Sequence, residues 1–275
     1  MQTRHYRIAA ALIWFFFAAL LLYVGLVGAL YLAQRSLMYF PRPERTAPAD
    51  AGFPQAQEIV LDTSDGEKVI AWYVAARPAR PIVLFFHGNG DVLAGLVGRF
   101  RELTESGVGL LALSYRGYAG STGHPSEDGL HRDAMAAYEF AAARYAPDRI
   151  VLWGFSLGSG VAVALASEQP IGRLILEAPY TSAVDIAASL FPIAPVRLMM
   201  RDRFHSDRRI ERVRVPLLVM HGDNDPTVPL VFGERLFALA HEPKQFVRFR
   251  GGGHNDLDDF GAMETARHFI DGLKG

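Results

Sequence analysis

Residues 149–166 read RIVLWGFSLGSGVAVALA. After Arg149 comes a short run of branched and aromatic residues, and the last seven are apolar and mostly small. Between them lies Gly154-Phe155-Ser156-Leu157-Gly158, a G-x-S-x-G pentapeptide. A strand that turns at once into a helix through this pentapeptide is a nucleophile elbow: the serine backbone is strained and its hydroxyl projects from the sheet edge. Gly154 and Gly158 are needed because a side chain at either would collide with the neighbouring strand or helix. Free N–H groups and the dipole at the helix start favour a developing negative charge. A glycine-rich turn without chemistry has the same five letters. The strand before it and the helix after it separate the two readings.

Working outward, short β-branched runs alternate with helical stretches. Strands are expected at 58–61, 69–74, 82–86, 109–114, 150–153, 174–177, 217–220 and 246–249. Several are continuous apolar runs, as in strands covered on both faces. Helices are expected at 92–106, 126–145, 157–168, 230–240 and 258–273. Ser126 precedes Glu127 and Asp128, an N-cap followed by acids in the first turn. Leu130, Ala134, Ala137, Tyr138 and Ala141 then recur on one face. An opening hairpin followed by strand–helix alternation predicts an α/β architecture: a mostly parallel eight-stranded sheet with helices on both faces. The piece from about 180 to 212 breaks the alternation and reads as a short cap over the carboxyl edge of the sheet.

A serine hydroxyl is a weak nucleophile and needs a base. His254 is placed for it, in a loop GGGHND (251–256) between the last strand and the last helix. An imidazole in turn needs an acid to hold its tautomer. Asp225 is the candidate, in HGDNDPTVP (221–229) after the strand LLVM, with Asp223 as its competitor. His221, Asp223 and Asp225 also resemble a metal cluster, but it is incomplete, and no metal or cofactor is expected. A tetrahedral intermediate needs two N–H donors. Leu157, the residue after the serine, supplies one, and Asn89 in HGNG (87–90) is the choice for the second. His87 reads as a structural histidine.

The N-terminus is different in kind. From Ile8 to Ala33 no residue is charged, a run of 26 residues. As a helix it extends roughly 39 Å, enough to cross a ~30 Å hydrocarbon core. Trp14 and Tyr31 stand near its two ends, where amphipathic rings prefer the lipid–water boundary. A cleaved signal would have a shorter apolar region. The division expected is therefore a tail and transmembrane anchor at 1–40, a Pro- and Ala-rich linker or lead-in at 41–57, and a body at 58–275. Basic residues flank both ends of the run, so their count does not fix orientation. A short tail before a large body is the pattern of a signal anchor, which predicts a body outside the cytoplasm.

The 275-residue chain has no cysteine, which excludes disulfides, a thiolate nucleophile and Cys-type metal sites. A formal charge of -1 gives no electrostatic footprint for nucleic acid. Mean hydropathy of +0.12 is high for a soluble domain, and the excess sits largely in the first 40 residues. Nothing in the sequence fixes an oligomeric state.

Taken together, QRSLMYFP (34–41), HGNG, SYRGYAGSTGHPSE (114–127), GFSLGS (154–159), EAPYTS (177–182), HGDNDPTVP and GGGHND resemble the α/β-hydrolase superfamily. The resemblance runs from about residue 55 to the end. It is nearest to the membrane-anchored bud-emergence type, related to the eukaryotic abhydrolase-domain depalmitoylases. It implies the α/β-hydrolase fold and a triad of Ser156, Asp225 and His254. Substrate does not transfer with fold and triad. Ala119 stands where the family often has Gly, which predicts a backbone angle that accepts a Cβ. Tyr115, Arg116 and Tyr118 read as bracing around the site, with substrate contact as the alternative. Leu190, Phe191, Met199 and Met200 either line an acyl pocket or simply close the cap. The resulting expectation is a serine hydrolase acting on a small or lipid-borne acyl ester or thioester. A peptidase and a non-catalytic tethered binding module are the competing readings.

Overall fold

The computed structural model describes residues 2–272. Residue 1, in the expected tail, and 273–275, which include the end of the expected last helix, lie outside the described residues. The chain opens with one long helix, α1 (Gln2–Met38). Its span His5–Met38 has a mean hydropathy of 2.5 in its most apolar window, and none of that window is buried. By length and composition it is able to cross a membrane.

Eight strands follow: β1 (Gln57–Asp62), β2 (Lys68–Val74), β3 (Ile82–Phe86), β4 (Gly109–Ser114), β5 (Ile150–Phe155), β6 (Arg173–Glu177), β7 (Leu217–Gly222) and β8 (Lys244–Phe249). They form one sheet in the order β1-β2-β4-β3-β5-β6-β7-β8. The β1–β2 and β2–β4 pairs are antiparallel, and every other pair is parallel. Every residue of β3, β4 and β5 is buried. That is why these strands read as unbroken apolar runs rather than alternating ones.

The helices cover both faces. One core gathers Leu84, Leu111 and Leu152 beneath α3 (Glu127–Ala142), α4 (Leu157–Ala166) and α8 (Leu230–Leu239). The other gathers Phe85, Ala112 and Trp153 beneath α2 (Val97–Glu105) and α9 (Ala262–Asp271). The expected cap on α3 is present, with the Ser126 hydroxyl accepting from the Gly129 N–H at 3.1 Å. Each expected helix is shorter than the sequence reading, two of them mainly at the start. The stretches 93–96 and 257–260 are 3-10 turns, so α2 and α9 start later. Between β6 and β7 lie three short helices: α5 (Ala183–Leu190), α6 (Val196–Met199) and α7 (Ser206–Arg209).

The stretch after α1 lies on the body. Tyr39 is buried, and the Ala119 N–H donates to the Arg42 carbonyl at 2.8 Å. Phe53 is fully buried, with its ring 6.4 Å from Trp72 and 6.2 Å from Phe100. Ala119 corrects one expectation. Its φ is 41°, in the left-handed region, where a Cβ crowds the next carbonyl. The backbone there keeps the geometry a glycine would suit, and the methyl group is carried under strain.

Candidate active site

The elbow sits where β5 meets α4. Ser156 has φ 50° and ψ -115°, a strained pair for a residue with a side chain. The surroundings hold it there. Its N–H donates to the Glu177 carbonyl at 2.9 Å, and its own carbonyl accepts from the Ser159 N–H at 2.9 Å and the Ser159 hydroxyl at 2.6 Å. The flanking glycines are required by space. A Cβ on Gly154 would lie 2.3 Å from the Gly158 oxygen, and one on Gly158 would lie 2.0 Å from the Phe86 oxygen. The helix can approach the sheet this closely only without those side chains.

Two loops from neighbouring strands converge on the serine. The loop after β7 carries Asp225, and the glycine loop after β8 carries His254. They are stitched together by Asn224 N–H to the Gly252 carbonyl at 2.9 Å and Asp223 N–H to the Phe249 carbonyl at 3.1 Å. Gly222 allows this contact, since a Cβ on it would sit 2.2 Å from the Gly252 oxygen. The result brings together three side chains 29 to 98 residues apart. The His254 Nε2 is 2.9 Å from the Ser156 Oγ, and its Nδ1 is 2.7 Å from the Asp225 Oδ2.

Asp225 is a well-supported anion. Its Oδ1 accepts the Thr227 and Val228 N–H groups, both at 2.8 Å. Burial pushes its carboxyl up, but the neighbouring His221 imidazole and hydrogen bonds from His254 and Val228 N–H outweigh burial and hold it well below the usual carboxylate range. A carboxylate that stays ionised keeps the His254 proton on Nδ1 and leaves Nε2 free to take one from Ser156. The arrangement can therefore deprotonate a hydroxyl as it attacks.

Asp223 takes a different role. It binds Arg248 Nε at 3.1 Å and Gly251 N–H at 2.7 Å, so it braces the histidine loop from below. His221 was weighed in the sequence only as part of a metal cluster. Fully buried, it meets the Val228 carbonyl through Nε2 at 2.8 Å and lies 3.6 Å from the Asp225 Oδ2. Gly233 makes room for that ring, because a Cβ there would be 2.3 Å from its Nδ1. His221 thus fixes the turn that aims Asp225.

The two expected N–H donors flank the serine. Asn89, Ser156 and Leu157 line one cavity. Neither the Asn89 N–H nor the Leu157 N–H has an acceptor among the described residues. The Asn89 side chain is occupied elsewhere. Its Nδ2 donates to the Met38 carbonyl at 2.6 Å, and its Oδ1 accepts from Phe40 N–H at 3.0 Å and the Tyr118 hydroxyl at 2.9 Å. The loop beneath is braced by packing and hydrogen bonds. His87 is buried, its Nδ1 is 2.7 Å from the Gly88 carbonyl, and its ring packs 4.4 Å from that of Tyr115. Burial lowers its imidazole below the usual value, so it stays neutral. Tyr115 donates to the His87 carbonyl at 3.1 Å, and Arg116 is held by Asp133 and Asp65. All three members of the SYRGY stretch act as braces.

A network the sequence did not flag sits behind the elbow. Glu177 accepts Arg99 at 2.6 and 2.9 Å and the Trp153 indole at 3.0 Å. The same residue's carbonyl holds the Ser156 N–H.

The cavity over Ser156 measures about 320 Å³. Leu190, Phe191, Met199 and Met200 all line it. Residues of α1 line it too, from Val27 to Met38. Among the described residues, no charged side chain is among its walls.

Such an elbow, with an imidazole and a carboxylate delivered by the last two sheet loops, defines the α/β-hydrolase superfamily, and the chain belongs to it. It is a hydrolase, similar to ABHD proteins. The family described as serine aminopeptidase, S33, matches residues 77–206. The uncharacterized protein Rv2307c of Mycobacterium tuberculosis is 36% identical over 253 residues, covering 90% of each chain. The lysophosphatidylserine lipase ABHD12 of Macaca fascicularis is 30% identical over 204 residues, covering 65% of this chain and 50% of that protein. Among solved structures, the Pyrococcus furiosus esterase Pf2001 superposes with a TM-score of 0.68 at 19% identity, over 86% of this chain and 98% of that one. That likeness is one of fold.

Proposed function

We propose that this protein is a membrane-anchored serine hydrolase that cleaves a carboxylic ester or thioester through an acyl-enzyme on Ser156. One observation carries the reading: Ser156 Oγ, His254 and Asp225 form an unbroken hydrogen-bonded line opening onto an uncharged cavity. His254 takes the serine proton while Oγ attacks the carbonyl carbon. The Leu157 and Asn89 N–H groups receive the oxyanion. The imidazolium then gives its proton to the departing alkoxide or thiolate. In the second half His254 activates water, which releases the acid and restores the serine.

In this reading residues 1–40 anchor the chain, 41–57 lead in to the body, and the body from 58 on carries the chemistry, with the cap at 180–212. The lysophosphatidylserine lipase relative supports an acyl substrate borne by lipid. A peptidase reading has the family description on its side. Yet an aminopeptidase must hold an ammonium group, and among the described residues no carboxylate lines the cavity. The test is turnover of p-nitrophenyl esters, acyl thioesters and an alanine anilide by full-length protein. Ester or thioester turnover that vanishes in Ser156→Ala supports the proposal. Turnover of the anilide alone favours the peptidase, and a folded chain that turns over nothing favours a binding module. The body is taken to lie outside the cytoplasm. In this cysteine-free chain, Asp50→Cys should then react with an impermeant maleimide on intact cells, and protection would reverse the orientation.

A further inference from the structure

More than three turns of the anchoring helix, from Tyr23 to Arg35, and the cap form one structure. The Arg35 guanidinium binds the buried Asp202 at 2.8 and 3.1 Å, and Asp202 also accepts the Glu127 N–H at 3.1 Å. One residue earlier, the Gln34 Oε1 accepts the Arg201 N–H at 2.8 Å. The Arg201 side chain meets the Tyr31 hydroxyl at 2.9 Å and stacks 4.5 Å over its ring. Deeper still, the Tyr23 hydroxyl donates to the Ile193 carbonyl at 2.9 Å.

These contacts are layered by polarity. Arginines and Asp202 cluster at the level of residues 31–35. Tyr23 lies about 12 Å further along the axis, inside the uncharged run. The cap residues at that depth are bare and apolar: Leu190 is 67% exposed and Ile193 85%. A cap tip that leaves such side chains uncovered, fastened to the middle of a membrane-spanning segment, lies in hydrocarbon.

Between helix and cap runs the cavity. Val27, Tyr31, Gln34 and Met38 recur at four- and three-residue steps, the spacing of one helix face, and that face forms its wall. Its near end is beside the serine, since the Asn89 side chain bonds the Met38 carbonyl. From Met38 to Val27 the helix advances about 16 Å. An extended chain advances about 3.5 Å for every three bonds, so that length takes roughly fourteen bonds.

The geometry points to α1 as the wall of an acyl-chain trough: a single long, unbranched acyl chain enters sideways from the bilayer, lies along Val27–Met38, and presents its carbonyl to Ser156. This rests on the hydrolase reading and deepens it. The substrate class is a long-chain monoacyl ester or thioester held in the membrane, and the helix sets the chain length.

The test uses full-length protein in phosphatidylcholine vesicles carrying p-nitrophenyl esters from butanoyl to octadecanoyl. Leu30→Trp fills the trough midway and Val27→Trp fills its far end. Leu32→Trp is the control, on the exposed face of the same helix. The wild type is expected to favour chains of about fourteen carbons or more. Leu30→Trp should lower the ratio of long- to short-chain kcat/KM by about ten-fold or more, Val27→Trp should trim only the longest chains, and Leu32→Trp should leave the profile unchanged. Thermal unfolding confirms that each variant is folded. Profiles unchanged in both trough variants, or shifted equally by Leu32→Trp, overturn the trough while the hydrolase stands. A wild type that cleaves no ester of any length and takes no fluorophosphonate overturns both.

Discussion

The polar cluster at the carboxyl ends of β5, β7 and β8 and the apolar trough between α1 and the cap share Ser156 but are built on opposite rules. In the cluster every reacting atom has an assigned neighbour. Asp225 makes hydrogen bonds to His254, Thr227 and Val228, and glycines at 154, 158 and 222 are dictated by backbone approaches no Cβ survives. In the trough the walls are ordinary Leu, Ile, Val and Met side chains, many half exposed, held by a few polar clamps at the rim. Chemistry tolerates almost no displacement, whereas a hydrophobic slot needs only volume and length. Mutations should therefore act steeply in the first region and gradually in the second.

The largest effect is expected in the cluster. Asp225→Asn keeps the shape but removes the charge that selects the His254 tautomer. Turnover should fall about 10⁴-fold, and the unfolding temperature at neutral pH should fall as well, because the same charge stabilises the fold. A loss under ten-fold would break the contrast. Next comes the support behind the elbow. Glu177→Leu leaves Arg99, whose side chain is only 10% exposed, with Asp258 alone. Denaturant unfolding should show a loss of about 3 kcal/mol.

Acid probes the same region. The carboxyls of Asp225 and Asp65 both sit below their ordinary value in the folded state. For Asp225 hydrogen bonds overcome burial. For Asp65 hydrogen bonds from Arg116 and Thr63 lead. An unfolded Asp titrates near 3.9, so the folded chain binds fewer protons than the unfolded one just below that value. Their stabilisation is thus complete above about pH 4 and is lost as the pH falls further. Thermal melts from neutral to pH 3 should show this, with a shallower acid slope in Asp65→Asn.

In the trough, Met199→Ala should raise KM for a long-chain ester by several-fold and act less on kcat, about 1–2 kcal/mol of lost contact. The smallest effect lies outside both regions. Ala119→Gly relieves a φ of 41° and should stabilise the fold by up to about 1 kcal/mol, read from the unfolding midpoint.

What the sequence revealed follows the same division. Ser156, His254 and Asp225 were legible because each lies in a short motif at a sheet end, where spacing and glycines carry geometric meaning. The choice of Asp225 over Asp223 rested on the H-G-x-x-D spacing; in the structure it is Asp225 that meets His254, while Asp223 is turned onto Arg248 and Gly251. The sheet was legible from its apolar runs. The 3-10 turns before α2 and α9 were not, because their side-chain pattern continues the helical one. Tertiary partners were the blind spot. Nothing near Glu177 announces Arg99, 78 residues earlier. Nothing in the uniform apolar run of α1 distinguishes the face carrying Val27 and Tyr31 from the faces left exposed. Gln34 and Arg35 were the available signal, two polar residues at the end of that run, and they are the ones that clasp the cap.

The account stands on an activated hydroxyl at residue 156. Treating folded full-length protein with a fluorophosphonate and mapping the adduct by peptide mass spectrometry tests it directly. One adduct per chain on the peptide bearing Ser156, absent in Ser156→Ala and strongly reduced in His254→Ala, is the expected result. A folded protein that takes up no adduct, or takes it up elsewhere, would contradict it.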